Sequence, residues 1–265
     1  MRRGPVAWGA VVVFAGIGAV LLARPLRDRV GCGTGFSPRF ARCVPSSACP
    51  APLVLRAGTC DASARVKIAR TRLQIGPSDW EAEGKVAPRL IKAGPFWIDA
   101  FEATTDAFTG HHDPDGLRAA SGMTRQEAAE HCARQGGRLP TEDEWMVAAA
   151  GREGSRYPWG ETGAVCRRAA FGLSRGPCFS GGVGPDTVGA HLDGDTPSGV
   201  HDLAGNVAEW VAASVAAPAV GVAKGGSWRS ELATELRIWA RLELDPKARD
   251  DRVGVRCAYD APRQP

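Results

Sequence analysis

Residues 201–210 read HDLAGNVAEW. Asp202 and Glu209 flank a Gly205–Asn206 pair, and Trp210 follows at once. Glycine and asparagine are turn residues because both tolerate left-handed backbone. Two carboxylates around such a turn admit two readings. One is a turn with solvated acids beside a core tryptophan, and the other is a loop folded around a bound cation. The rest of the chain has to decide between them.

The 265 residues suit one large domain or two small ones, and 44% hydrophobic with 23% charged content indicates a globular protein. The formal charge of +4 is small and spread out, and no basic stripe with interleaved aromatics appears. Nucleic-acid binding is therefore not expected. At the N-terminus, MRR precedes GPVAWGAVVVFAGIGAVLLA, with no further charge before Arg24. About 20 apolar residues in a helix span roughly 30 Å, the thickness of a bilayer core. The run ends in LLARP, a poor cleavage site with Pro25 against it, so an uncleaved transmembrane anchor over 1–30 is expected. Arginines on both flanks leave its orientation open. Eight cysteines, at 32, 43, 49, 60, 132, 166, 178 and 257, show no zinc-ribbon spacing. Disulfides are the expected use, which places the chain after Val30 in the periplasm or extracellular space.

Residues 31–61 hold four of those cysteines among many Gly, Pro and Ser, with no helical periodicity. They read as a juxtamembrane stalk stapled by two disulfides, with three connectivities open for Cys32, Cys43, Cys49 and Cys60. From residue 62 the texture changes. RVKIARTRLQIGPSDW and FWIDAFEAT read as strands. Thr124 with Glu127, and Thr141 with Glu144, form T-x-x-E capping boxes that predict two short helices. Gly136 and Gly151 stand where a left-handed C-terminal cap belongs. After Gly151 turns dominate, with short strands expected at WVAASV, AKGGSW, RIWARLEL and VGVRCAYD. The fold class is α+β. HHDPDG at 111–116 has too few oxygens for a calcium loop and reads as solvated.

Taken together, GRLPTEDEWMVAA, YPWG, HDLAGNVAEW, KGGSW and VGVRC resemble, in order and spacing, the formylglycine-generating enzyme (sulfatase-modifying factor) family. The resemblance covers about Arg65 to Tyr259. It implies a C-type-lectin-like domain over 62–261, with short strands, two short helices and long ordered loops. It also implies a Cys132–Cys257 bridge and leaves Cys166 to pair locally with Cys178. The family's calcium motif maps onto the side chains of Asp202 and Glu209 and the carbonyls of Gly205 and Val207, so a structural calcium ion is expected. The family's second calcium site does not carry over to CRRAAFGLSRGPCFSGG, where the Cys166–Cys178 staple is expected instead.

Family enzymes oxidise a substrate cysteine using two active-site cysteines that bind copper after the GGS-aromatic run. Here those positions carry Ser230 and Glu235. Neither supplies the soft sulfur that Cu(I) prefers, so copper and formylglycine chemistry are not expected. Ser230 has no histidine near it in sequence, and a family branch that uses non-heme iron draws its ligands from an added domain. A binding or scaffolding module follows, with Trp228, Arg229, Arg237 and Arg241 as candidate groove residues and Trp145 and Trp210 as core. The expected partners are the membrane, through 1–30, and a peptide, glycan or envelope protein. The alternatives are an oxidoreductase with an altered metal centre and a purely structural anchor subunit.

Overall fold

The computed structural model describes residues 31–39, 42–46, 49–56, 59–76, 87–111, 116–151 and 153–261. The anchor expected over 1–30 and most of HHDPDG lie outside them. Among the described residues no helix is long and apolar enough to cross a membrane.

The Cys-rich segment forms two hairpins, β1 (Phe36–Arg39) with β2 (Arg42–Pro45) and β3 (Val54–Arg56) with β4 (Thr59–Asp61). Its bridges join Cys32 to Cys43 and Cys49 to Cys60. The stalk expectation needs correcting. Phe36, Cys43 and Leu53 pack with Ala100, Phe101, Ala119, Val188, Ala190 and Val207 in one apolar cluster. The Gly33 amide also donates to the Ala190 carbonyl at 2.8 Å. Too short to build its own core, the segment completes the domain's.

The expected first strand breaks at Ala69–Arg70 into β5 (Arg65–Ile68) and β6 (Thr71–Ile75). β6 pairs with β7 (Arg89–Ala93). β5 pairs with β8 (Phe96–Asp99), placing Val66 opposite Ile98. A short α1 (Thr105–Thr109), capped by the Thr104 side chain, adds a helix that sequence periodicity did not signal. The next two helices are α2 (Arg125–Arg134) and α3 (Glu142–Ala150), and both reciprocal capping bonds form in each. The threonine oxygens accept N–H groups that the first turn leaves without helical partners, while Glu127 and Glu144 accept from the cap amides. Gly136 has φ +76, and Gly151 has φ +62 with ψ −150, a region open essentially to glycine.

The second half forms a four-stranded sheet of β9 (Ala208–Trp210), β10 (Gly221–Lys224), β11 (Leu242–Leu244) and β12 (Val253–Gly254), in the order β11-β10-β9-β12. The last strand, β13 (Ala258–Asp260), returns to β8, with Ala258 opposite Ile98. WVAASV is not a strand beyond Trp210, because residues 213–220 run exposed through a loop. RIWARLEL pairs only over Leu242–Leu244. Ile238 and Trp239 are adjacent and both buried, which alternation across a two-faced strand does not allow. Cys132 on α2 joins Cys257 just before β13, and Cys166 joins Cys178. No cysteine is free, and four disulfides mark the domain as secreted or extracytoplasmic.

Candidate functional site

HDLAGNVAEW lies over a buried polar junction, and its strand β9 forms one wall of an open groove. Asp202 and Asn206 take φ +56 and +52, values that acidic and amide side chains adopt more readily than others. Asn206 then points inward. Its Oδ1 accepts the Asp186 amide at 2.7 Å, and its Nδ2 donates to Glu102 Oε2 at 2.7 Å. The Val207 amide donates to Glu102 Oε1 at 3.1 Å. Glu102, from FWIDAFEAT, thereby braces the turn.

Glu209 sits in the centre of the sheet, opposite Lys224 on β10 and Gly254 on β12. Its carboxylate accepts from Arg256 Nε at 3.0 and 3.1 Å, from Arg256 Nη2 at 2.8 Å and from Trp145 Nε1 at 2.7 Å. Arg256 also donates to the carbonyls of His201 at 2.7 Å and Asp99 at 3.1 Å. Arg256 and Glu209 are 0% and 1% exposed. Burial alone would favour discharging the guanidinium, but Glu209, then Glu102 and Asp202, hold its proton on. Glu102 is pushed well above the usual carboxylate range by burial and then by the Asp202 charge. Asp202 is also raised, chiefly by burial, against the opposing pull of His191.

A second cluster adjoins this one. Asp186 accepts from the Cys43 and Thr187 amides at 2.6 and 3.0 Å. His191 lies 3.2 Å from Asp186 through Nε2 and 3.1 Å from the Cys166 carbonyl through Nδ1. Both neighbours are acceptors, so the ring satisfies both only as imidazolium, with an N–H on each nitrogen. Burial opposes that charge, and the Asp186 hydrogen bond and charge outweigh it, raising the His191 pKa. Cys43, Asp186 and His191 have the proximity of a metal triad. The Cys43 sulfur is bonded to Cys32, however, and offers no thiolate.

Not all of the calcium set inferred from sequence is equally suited to an ion. Asp202 accepts the Gly189 amide through Oδ2 and borders the Gly205–Asn206 turn, where hard oxygen ligands would be wanted. Glu209 has both oxygens engaged by Arg256 and Trp145. Of the expected set, Glu209 therefore serves as the partner of a guanidinium.

The groove lies beside this junction, with a volume of about 1190 Å³. It brings together Ser230, Glu235, Arg237 and Arg241. At the two family cysteine positions both side chains hold local backbone. Ser230 Oγ accepts the Ser227 amide at 3.1 Å, and Glu235 Oε2 accepts the amides of Glu231 and Leu232 at 2.9 Å each. Behind the wall, Lys224 is 1% exposed and donates to Glu142 at 3.3 Å. Burial, only partly offset by Glu142, pulls its pKa down to about 8.

Trp228 and Arg229 do not line the groove. Trp228 is 1% exposed, packs with Phe171, Leu173 and Leu236, and donates to the Asp251 carbonyl at 3.1 Å. The Arg229 guanidinium lies 4.5 Å from the Trp228 ring centroid and pairs with Asp251, in a separate depression beside Arg175 and Arg249. The turn at Ser227–Ser230 sends consecutive side chains to different faces, which linear spacing does not reveal. Sequence reading also passed over Glu102, Asp186, Lys224 and Arg256, and set His191 aside as a turn residue. Arg256 had a visible signal, an arginine beside the cysteine in VGVRC. Glu102 had the acid in FEAT.

Helices capped in this way, short strands and long cross-linked loops define a sheet-rich, C-type-lectin-like fold. Treponema denticola variable protein 1 shares it, with TM-score 0.63 at 18% identity over 74% of this chain and 95% of that one. The model of the sulfatase-modifying factor enzyme 1-like domain matches residues 118–261, more than half the chain. The chain belongs to the formylglycine-generating enzyme (sulfatase-modifying factor) family. It is 34% identical over 149 residues to inactive C-alpha-formylglycine-generating enzyme 2 of Bos taurus, covering 52% of this chain and 49% of that protein. It is 30% identical over 237 residues to hercynine oxygenase of Mycolicibacterium thermoresistibile, covering 73% and 51%. The chain thus spans about half the length of these relatives.

Proposed function

We propose that this chain is a non-catalytic member of its family, a membrane-anchored extracytoplasmic module that binds a partner in the groove beside Ser230. The observation that carries the reading is the state of Ser230 and Glu235. Where the family's chemistry needs two thiols, this chain has a hydroxyl and a carboxylate, each hydrogen-bonded to nearby backbone amides. All eight cysteines are in disulfides, so no thiol remains to take copper. A likeness to a relative named inactive supports the same reading.

The proposal includes an anchor formed by 1–30 and a structural calcium ion at Asp202, Gly205 and Val207. Charge supports the ion. Four buried carboxylates, Glu102, Asp186, Asp202 and Glu209, face the Arg256 guanidinium and the His191 imidazolium. With all four ionised, two negative charges would remain, which a divalent cation would balance in place of the protons that burial favours on Glu102 and Asp202.

The test is metal analysis and oxygen uptake on the full chain, produced in an oxidising host and held in detergent, with a thiol peptide as substrate. No stoichiometric copper or iron and no oxygen consumption are expected. Stoichiometric iron with turnover would favour an oxidoreductase with an altered centre, the reading to which the likeness to hercynine oxygenase points.

A further inference from the structure

We infer that Cys32, Cys43, Asp186 and His191 form a redox-gated metal site, closed by the disulfide in the oxidised protein and able to take one zinc ion once a dithiol reduces the bridge. The Cys43 sulfur, an Asp186 oxygen and a His191 ring nitrogen lie within 4.8 Å of one another, and all three residues are buried. Cys32, bonded to Cys43, brings a fourth ligand to the same point. Two thiolates, an imidazole and a carboxylate are a set that zinc accepts in a tetrahedron. Asp186 Oδ2 and His191 Nε2 are 3.2 Å apart, close to the roughly 3.4 Å that separates two tetrahedral ligands on bonds of about 2.0–2.2 Å. The histidine is also oriented for the task. Its Nδ1 faces the Cys166 carbonyl at 3.1 Å, the arrangement that fixes the ring of a metal-bound histidine and leaves Nε2 for the ion. Zinc then takes the place of the Nε2 proton.

Both cysteines are held by contacts that do not use the bridge. The Cys43 amide donates to Asp186 Oδ1 at 2.6 Å. The Gly33 amide, next to Cys32, donates at 2.8 Å to the carbonyl of Ala190, next to His191. Pro38 and Cys43 are also partners across the β1–β2 hairpin. Breaking the sulfur–sulfur bond therefore leaves both thiolates beside the carboxylate and the imidazole. Access differs between the two sulfurs, since Cys43 is wholly buried and Cys32 only partly. A thiolate of the dithiol attacks the Cys32 sulfur, and the electron pair of the bridge leaves on Cys43 beside the His191 ring. The reductant's second thiol then attacks the mixed disulfide, which frees the Cys32 thiolate and closes the reductant's own disulfide. Two electrons have passed from the dithiol to the bridge. The reductant's two protons and the Nε2 proton go to water as zinc binds.

The test uses the full chain in detergent, either oxidised or reduced with dithiothreitol and desalted without air before metal is added. By metal analysis, the reduced protein is expected to retain one zinc ion per chain more than the oxidised protein. Cobalt(II) in place of zinc should show thiolate-to-metal charge transfer and tetrahedral d–d bands only after reduction. Dithiothreitol can open the other bridges too, so alkylation with iodoacetamide and peptide mapping locate the ion. Zinc should protect Cys32 and Cys43 and leave Cys49 and Cys60 to react. His191→Ala should weaken zinc at least about tenfold and shift the cobalt bands, whereas Cys49→Ser combined with Cys60→Ser should change neither. Circular dichroism should show the reduced native chain still folded with zinc bound. No extra zinc after reduction, protection of a different cysteine pair, unaltered affinity in His191→Ala, or a reduced chain that unfolds despite zinc would each overturn the inference.

Discussion

Arg256 occupies the position in which a buried cation is most needed, between Glu209 and two backbone carbonyls. Removing one member of a buried pair leaves an unmatched charge, a loss of roughly 3–5 kcal/mol. Arg256→Met should destabilise the protein on that scale in urea unfolding. Combining it with Glu209→Gln should cost less than the two single losses added, because the second change removes the stranded charge. Asp99 tests the electrostatics differently. Burial raises its pKa from 3.8 to about 6, against the pull of Tyr259, Arg256, Cys257 and Arg65. The protonated form therefore stabilises the fold. Its contribution is complete below about 3.8 and is lost as pH rises through about 6. Relative to Asp99→Asn, the native chain should lose about 2.4 kcal/mol between pH 4 and 7. A constant difference between the two across that range would contradict the assignment.

At the scale of elements, the disulfides divide by the length of chain they close. Cys132–Cys257 spans 125 residues and ties α2 to the approach to β13, whereas Cys49–Cys60 spans 11. By loop-closure entropy the long bridge is worth about 5 kcal/mol and the short one about 3 kcal/mol. Replacing both cysteines of each pair with alanine should reproduce that ranking in denaturant midpoints. The Cys-rich hairpins give a separate test. Phe36 packs against Ala100, Phe101 and Val207, so Phe36→Ala should cost about 3 kcal/mol. A spacer would lose less than about 0.5 kcal/mol at such a site. The two capped helices were legible because T-x-x-E places cap and acceptor three residues apart, within one turn. The docked hairpins were not, since their apolar partners lie dozens of residues further along the chain.

For the whole molecule, calcium is the test of how the buried charge is balanced. At ten times a dissociation constant of about 1 mM, an ion that binds only the folded state adds about 1.4 kcal/mol. Thermal melting should then rise by a few degrees in 10 mM calcium and fall with chelator. No change would mean that protons on Glu102 and Asp202 suffice. The family, the bridge-forming cysteines and the loss of both thiols at Ser230 and Glu235 were determined by sequence alone, because each depends on residue type at a fixed position. Tertiary structure decided that Arg256 meets Glu209, that Trp228 and Arg229 lie outside the groove, and that Phe36, Cys43 and Leu53 belong to the core. These depend on which distant side chains share one dry space. Charge and packing act through distance in the fold, and separation along the chain does not encode it.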